Sequence, residues 1–248
     1  MQPLQPTIGY SEASAGSGAP FVTALLVAAG NSTRMGGVNK QFLQLDGAPV
    51  LLRTVRVFEA CSLVREIILA VRRQDADEVR AMLQRAGVKK VTAVVPGGQT
   101  RQESVFAAAS CASVDCAYFA VHDGARPLVT RKVLEDTLQA AFQCGAAATG
   151  VRVKDTVKVV SQDGYIAATP DRSTLWAVHT PQVFRRDLYL HAAQTVPDSA
   201  AFTDDCRLLE AAGVPVRMVE GSYENIKITT PEDVCIAEGI LKGRRQSE

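Results

Sequence analysis

Two cations flank a loop of small residues near the start of the chain. Ala28-Ala29-Gly30-Asn31-Ser32-Thr33-Arg34-Met35-Gly36-Gly37 follows the apolar run Phe21 to Val27, and Lys40-Gln41-Phe42 comes soon after. A strand that ends in small residues and a Gly-rich loop lets backbone N–H groups approach a phosphate closely. Arg34 and Lys40 add two fixed positive charges beside that loop. A polyphosphate needs this combination, so the chain reads first as a nucleotide-using enzyme. Counted from Gly30, the third and sixth positions are Ser32 and Met35, which removes the dinucleotide fingerprint G-x-G-x-x-G, and no G-x-x-x-x-G-K-[ST] follows. A dehydrogenase is disfavoured on that ground.

The elements that must position these residues follow from periodicity. Strand-length apolar runs at 21–29, 65–71, 90–95, 116–122 and 146–153 alternate with helical patterns near 49–61, 74–86, 100–112 and 130–143. Repeated β-α-β order predicts an α/β, Rossmann-like three-layer sandwich with a mostly parallel sheet. Ligands bind at the carboxyl ends of such strands. The Gly30 loop, Pro96-Gly97-Gly98-Gln99 and His122-Asp123-Gly124-Ala125-Arg126-Pro127 all follow strands and should converge there. Thr100-x-x-Glu103 is a capping-box pattern. After Val153 the pattern breaks: an alternating run, the turn chemistry of Gln162-Asp163-Gly164, and a return make a β-arm at about 154–172. Strands near 176–184, 215–220 and 225–229 and helices near 186–194 and 203–212 follow, and Thr230-Pro231-Glu232-Asp233 opens a last helix with Thr as its cap.

The bulk numbers narrow the class. At 248 residues and 47% hydrophobic content, one sizeable domain over 21–243 is expected, preceded by a disordered extension over 1–20. A net charge of +1 argues against a general nucleic-acid or membrane-surface binder, and no apolar run approaches a membrane span. Six cysteines without a C-x-x-C pair suit a reducing cytoplasm, with no structural disulfide and no zinc.

Taken together, the motif blocks resemble the sugar-phosphate nucleotidylyltransferases, most closely the 2-C-methyl-D-erythritol 4-phosphate cytidylyltransferases. The resemblance runs from about Val22 to Leu241 through Ala28-Ala29-Gly30…Arg34-Met35-Gly36, Lys40-Gln41-Phe42, Gly97-Gly98…Arg101-x-x-Ser104-Val105, Val121 to Pro127, Asp155-Thr156, Thr180-Pro181-Gln182, Thr203-Asp204-Asp205 and Asn225 to Asp233. Two departures stand out: the Arg34–Lys40 loop is one residue shorter than usual, and Asn39 stands where the family often has Pro.

The resemblance implies attack of the sugar phosphate on the α-phosphate of CTP, with release of pyrophosphate, in non-mevalonate isoprenoid biosynthesis. It implies Mg²⁺ carried mainly by the CTP phosphates, and a homodimer in which β-arms interlock. Arg34 and Lys40 would stabilise charge on the α-phosphate. Ala28, Ala29, Gly30, Gly97, Gly98, Arg101, Ser104, Asp123, Gly124 and Ala125 would form the CTP side, with Asp123 toward ribose or metal. Thr156, Arg172, Thr180, Thr203, Asp204 and Lys227 would hold the sugar phosphate, Arg172 and Lys227 with catalytic effect, and Arg172 would reach the partner's site.

From the residues alone, alternatives stay open at several of these positions. Asp123 could cap its own turn, Gly97-Gly98 could be an ordinary turn, and Thr203-Asp204-Asp205 could be a plain helix start with Thr as cap. Lys227 sits between Ile226 and Ile228, facing either a ligand or solvent. His122 reads as structural. A ribitol 5-phosphate cytidylyltransferase is the close rival, mildly disfavoured by Ala29. A non-catalytic nucleotide-binding protein on the same fold is the rival from another class.

Overall fold

The computed structural model describes residues 19–30, 39–196 and 202–246. The expectation of disorder up to residue 18, and the role given to Arg34 within 31–38, fall outside the described residues.

Strand β1 (Val22–Ala28) carries no charge, and six of its seven residues are buried. A parallel strand covered on both faces by helices requires this. Its side chains part by the period of two. Val22, Ala24, Leu26 and Ala28 enter one core with Phe58, Leu134 and Leu138, whereas Leu25 enters another with Val105, Phe119 and Tyr189.

A short hairpin, β2 (Gln44–Leu45) and β3 (Ala48–Pro49), leads into α1 (Val50–Ala60). Then come β4 (Val64–Val71), α2 (Ala76–Arg85), β5 (Val91–Pro96), α3 (Arg101–Ala109), β6 (Tyr118–Asp123), α4 (Arg131–Cys144) and β7 (Ala146–Arg152). The rest comprises β8 (Val159–Val160), β9 (Ile166–Ala168), β10 (Trp176–Arg185), α5 (Arg186–Thr195), α6 (Asp205–Ala211), β11 (Arg217–Glu220) and α7 (Pro231–Gln246). The main sheet has the order β11-β7-β10-β6-β1-β4-β5. β4 and β6 flank β1 in parallel, with Leu25 opposite Ile68 and Val121. β10 runs antiparallel between β6 and β7. Helices α1, α2 and α4 fill the first core and α3, α5 and α6 the second, which gives the expected three layers. Strand order reverses between β1 and β6, and a crevice at such a switch point is where an open α/β sheet binds ligands.

Three local expectations need correction. Residues 225–229 form no strand: the segment crosses over the strand ends, tied by Ile228 N–H to the Ala125 carbonyl (2.8 Å) and by Arg126 Nη1 to the Asn225 carbonyl (2.7 Å). Its alternation reflects Ile228 packing with Ala125 and α7 rather than pairing in a ladder. The capping box at α3 is not reciprocal. Thr100 Oγ1 accepts from Glu103 N–H (3.1 Å), but the Glu103 carboxylate accepts from Gln99 N–H (2.6 Å), one residue early. At α7 it is the Asp233 carboxylate that accepts from the Thr229 and Thr230 N–H groups, at 2.7 and 2.8 Å.

The arm is present as β8 paired with β9, separate from the main sheet. Gly164 at its turn has φ +84°, a conformation that side chains disfavour. Val159, Val160, Tyr165 and Ile166 on the arm are all exposed.

Candidate active site

The β1, β5 and β6 ends open on one pocket. Ala28, Ala29 and Gly30 line it from β1, Lys40 and Gln41 from the segment before the hairpin, and Gly98 to Arg101 with Ser104 from the β5–α3 turn. Asp123 and Ala125 line it from the end of β6, and Lys227 from the crossing segment. Among these lining residues, three cations, Lys40, Arg101 and Lys227, face one carboxylate, Asp123. The excess is positive and suits an anionic ligand.

Asp123 is the electrostatic centre. Lys227 Nζ lies 2.8 Å from it, Arg101 Nε 3.2 Å and Arg126 Nε 3.5 Å. Burial alone would raise its pKa, but the Arg101, Lys227 and Arg126 charges outweigh burial and hold the carboxyl well below the usual range. Arg101 also contacts Asp205 at 2.5 Å. Burial acts against the Arg101 charge, yet Asp205 and Asp123 more than restore it.

Behind Asp123 lies a second layer. Its backbone N–H donates to Thr180 Oγ1 (3.1 Å), and Thr180 Oγ1 is 3.0 Å from His122 Nδ1. His122 Nε2 meets the Arg126 carbonyl at 3.2 Å. A carbonyl only accepts, so Nε2 carries the proton and Nδ1 accepts from the Thr180 hydroxyl. Burial pushes the His122 pKa down to about 3, so the ring is neutral. His122 and Thr180 thus support the Asp123 backbone from within the core.

Lys40 is placed through its neighbour. Asn39 Nδ2 donates to Asp75 (3.0 Å), Asn39 Oδ1 accepts from Gln41 N–H (3.3 Å), and the Asn39 carbonyl accepts from Phe42 N–H (3.1 Å). Asp75 is itself held by Arg72 at 2.6 and 3.0 Å. Side-chain hydrogen bonds therefore fix the turn at the position where the family often has Pro.

Ala28, Ala29, Gly30, Lys40, Gly98, Arg101, Ser104, Asp123, Ala125 and Lys227 all reach the pocket. Gly97 lies just under it: a Cβ there would stand 2.4 Å from Ala29 Cβ and 2.7 Å from Ser104 Oγ. The Ser104 hydroxyl donates to the Thr100 carbonyl (2.9 Å) and accepts from Gly98 N–H (3.1 Å), so it braces the Gly98 loop. Gly124 packs inward, its N–H on the Val27 carbonyl (2.8 Å) and its own carbonyl on Thr54 Oγ1 (2.9 Å).

The sugar-phosphate set is only partly assembled. Lys227 is on the pocket, whereas Thr156 and Arg172 are exposed on the arm, with Arg172 Nη1 on the Lys154 carbonyl (2.9 Å). Asp204, and not Thr203, caps α6: its carboxylate accepts from Arg207 N–H (3.1 Å) and from Gln182 Nε2 (3.2 Å). Asp204 itself has the extended backbone of a cap, one step later than the sequence suggested, which leaves Thr203 outside the helix. Gln41, Gln99 and Thr100 on the pocket, and Arg126 and Asp205 around Asp123 and Arg101, were not among the expected site residues. Arg126 and Asp205 stood inside quoted motif blocks, and that was their only signal. Among the described residues no three His, Cys, Asp or Glu side chains gather as a metal cluster, and no helix is long and apolar enough to cross a membrane.

Positive charge set around small residues at a switch point serves to neutralise and orient nucleotide phosphates, which is the chemistry of the nucleotidyltransferases. Similarity to known proteins narrows the class. A family model described as 2-C-methyl-D-erythritol 4-phosphate cytidylyltransferase matches residues 22–243. The protein of that name from Symbiobacterium thermophilum is 48% identical over 223 residues, covering 89% of this chain and 93% of the relative. The one from Alkaliphilus oremlandii is 43% identical over 226 residues, covering 90% and 95%. The crystal structure of 4-diphosphocytidyl-2C-methyl-D-erythritol synthase from Anaerococcus prevotii superposes with a TM-score of 0.82 at 30% identity, covering 90% of this chain and 97% of that one. The chain belongs to the 2-C-methyl-D-erythritol 4-phosphate cytidylyltransferase family. It is a nucleotidyltransferase of isoprenoid biosynthesis that uses CTP and methylerythritol phosphate.

Proposed function

We propose that the pocket around Asp123 is where the transfer occurs. The cytidine side of CTP rests against Ala28, Ala29, Gly98 and Ser104, and its triphosphate lies toward Lys40, with Arg34 given the charge-stabilising role that the sequence resemblance implies. The acceptor phosphate is received by Lys227. The observation that carries this reading is the excess of cations over one carboxylate on a pocket whose β1 and β5 borders are small residues. Small borders admit a flat base, and backbone groups can then read its edge.

A phosphomonoester has a second pKa near 6 and is largely dianionic at neutral pH. The acceptor oxygen therefore attacks the α-phosphorus without a protein base. The new P–O bond forms as the bond from the α-phosphorus to the bridging oxygen breaks, and pyrophosphate carries away the electron pair. His122, buried and neutral, takes no part. The protein's work is to align two anions and offset the charge between them.

Mg²⁺ fits this site in one way. Asp123 is the single carboxylate among the lining residues, a hard oxygen donor that Mg²⁺ accepts, and the remaining ligands would be triphosphate oxygens and water. Such an ion neutralises phosphate charge. Thr156 and Arg172 serve the site of a partner subunit in a homodimer joined by the arms. The exposed Val159, Val160, Tyr165 and Ile166 on the arm support that pairing. A cytoplasmic setting, where thiols stay reduced, suits the free cysteines.

The test is pyrophosphate release with Mg²⁺ and CTP, comparing methylerythritol 4-phosphate with ribitol 5-phosphate, and UTP as the base control. Release confined to CTP with the methylerythritol acceptor is expected. Preference for ribitol phosphate would reassign the acceptor, and no release with either would overturn the reading.

A further inference from the structure

Two motif blocks of the sequence do not reach the pocket, and the structure joins them behind it. Gln182 is fully buried on β10; its Oε1 accepts from Asp205 N–H (3.1 Å) and its Nε2 donates to Asp204 (3.2 Å). The start of α6 is thereby fastened to the sheet. The Asp205 carboxylate, 2% exposed, then takes two further bonds: from the Tyr189 hydroxyl (2.8 Å) and from Arg101 Nη1 (2.5 Å). Tyr189 is wholly buried and sits edge-on to Phe119 and Phe106, which leaves its hydroxyl little freedom.

Arg101 is the residue that this bracket serves. It lines the pocket, and its guanidinium is shared between Asp205 at 2.5 Å and Asp123 at 3.2 Å. Were Asp205 absent, Asp123 would be the only carboxylate left to Arg101 in this network, and the guanidinium would be drawn toward it. Two consequences follow: Arg101 would leave its place on the nucleotide side, and Asp123 would be more fully neutralised.

We infer that Asp205, held by Tyr189 and Gln182, is a positioning residue that keeps Arg101 on the pocket wall, shared between two carboxylates rather than committed to Asp123 alone, and so sets the affinity for CTP. This rests on the reading of the pocket as the CTP site. It adds to that reading a charge balance between two carboxylates competing for one guanidinium.

Calorimetric titration with CTP tests it on the full chain. Asp205→Asn should weaken CTP binding about tenfold, as for loss of a charge-assisted hydrogen bond, with kcat falling by less than the affinity. Asp205→Glu should restore most of the loss. The double variant Arg101→Ala with Asp205→Asn should bind CTP no more weakly than Arg101→Ala alone, since Asp205 acts only through Arg101. Tyr189→Phe removes a single hydroxyl, and a two- to threefold weakening is expected; this variant decides the matter alone if Asp205→Asn does not fold. Losses that multiply in the double variant, or wild-type affinity in Tyr189→Phe and Asp205→Asn, would overturn the inference while wild-type CTP binding keeps the pocket reading. A wild-type protein that takes up no CTP would instead remove that reading and the inference with it.

Discussion

Replacing Lys227 with Ala separates its ion pair with Asp123 from the acceptor-phosphate role proposed for it. Lys227 Nζ lies 2.8 Å from Asp123, with the lysine side chain 37% exposed and the aspartate 9%. Asp123 keeps Arg101 at 3.2 Å and Arg126 at 3.5 Å, so the carboxylate stays paired without the lysine. A pair this exposed on one side contributes about 1 kcal/mol or less, which for a domain of this size lowers Tm by about 2–4 °C. The catalytic loss is larger. A charge-stabilising donor aimed at a reacting phosphate contributes about 3 kcal/mol, so turnover with methylerythritol phosphate should fall about a hundred- to two-hundredfold. CTP affinity should change by less than about threefold, because the lysine's neighbours on the nucleotide side remain. Steady-state pyrophosphate release with both substrates varied, CTP titration and thermal melting measure the three quantities on one preparation. If CTP affinity falls as far as turnover, Lys227 belongs to the nucleotide and the acceptor must be held elsewhere.

Other substitutions probe the remaining walls. Gly97→Ala places a Cβ 2.4 Å from Ala29 Cβ and should weaken CTP binding about tenfold or more while costing about 1–3 kcal/mol of stability; unchanged binding would show that this border does not shape the base site. Arg34→Ala should slow the chemical step about a hundredfold, and wild-type single-turnover rates would remove Arg34 from the mechanism. The His122 pKa is held at about 3 by burial, against about 6.5 unfolded. The unfolded chain therefore binds more protons between those values, and this contribution is complete above about pH 6.5 and is lost as pH falls toward 3. In His122→Gln the decline in denaturant stability from pH 6.5 to 4 should be shallower, with His179, held down to about 4 by burial, supplying part of what remains; parallel declines would contradict the neutral ring. Mixing Arg172→Ala with Lys227→Ala subunits should restore some turnover through hybrid dimers, and no recovery despite measured subunit exchange would count against a shared site.

The sheet was legible because β1 carries no charge, because β4 ends in the apolar run Ile67–Val71, and because loops of small residues follow the strands. The small-residue wall of the pocket was legible for the same reason, since close approach demands Gly and Ala at fixed points. What escaped the sequence is what depends on side chains meeting across the fold. Asn39 on Asp75 is a contact across 36 positions, and Arg101 on Asp205 one across 104. No local period announces such pairs. The segment around Lys227 misled in a different way: alternation of Ile226, Lys227 and Ile228 looks like a strand, yet Ile228 is buried against Ala125 and α7 with no ladder beside it. The turn Asp46-Gly47, with φ of +51° and +78°, carried an Asp-Gly hairpin signal that a helix start at 49 obscured.

In the proposed reaction one phosphate attacks another directly in the Asp123 pocket, with no covalent protein intermediate. The stereochemical course at the α-phosphorus tests it most directly, using a single epimer of CTP bearing sulfur on that phosphorus and methylerythritol 4-phosphate as acceptor. Inversion of configuration is the expected result, as one in-line displacement requires. Retention would mean two displacements and a nucleotidylated side chain, and would contradict the claim.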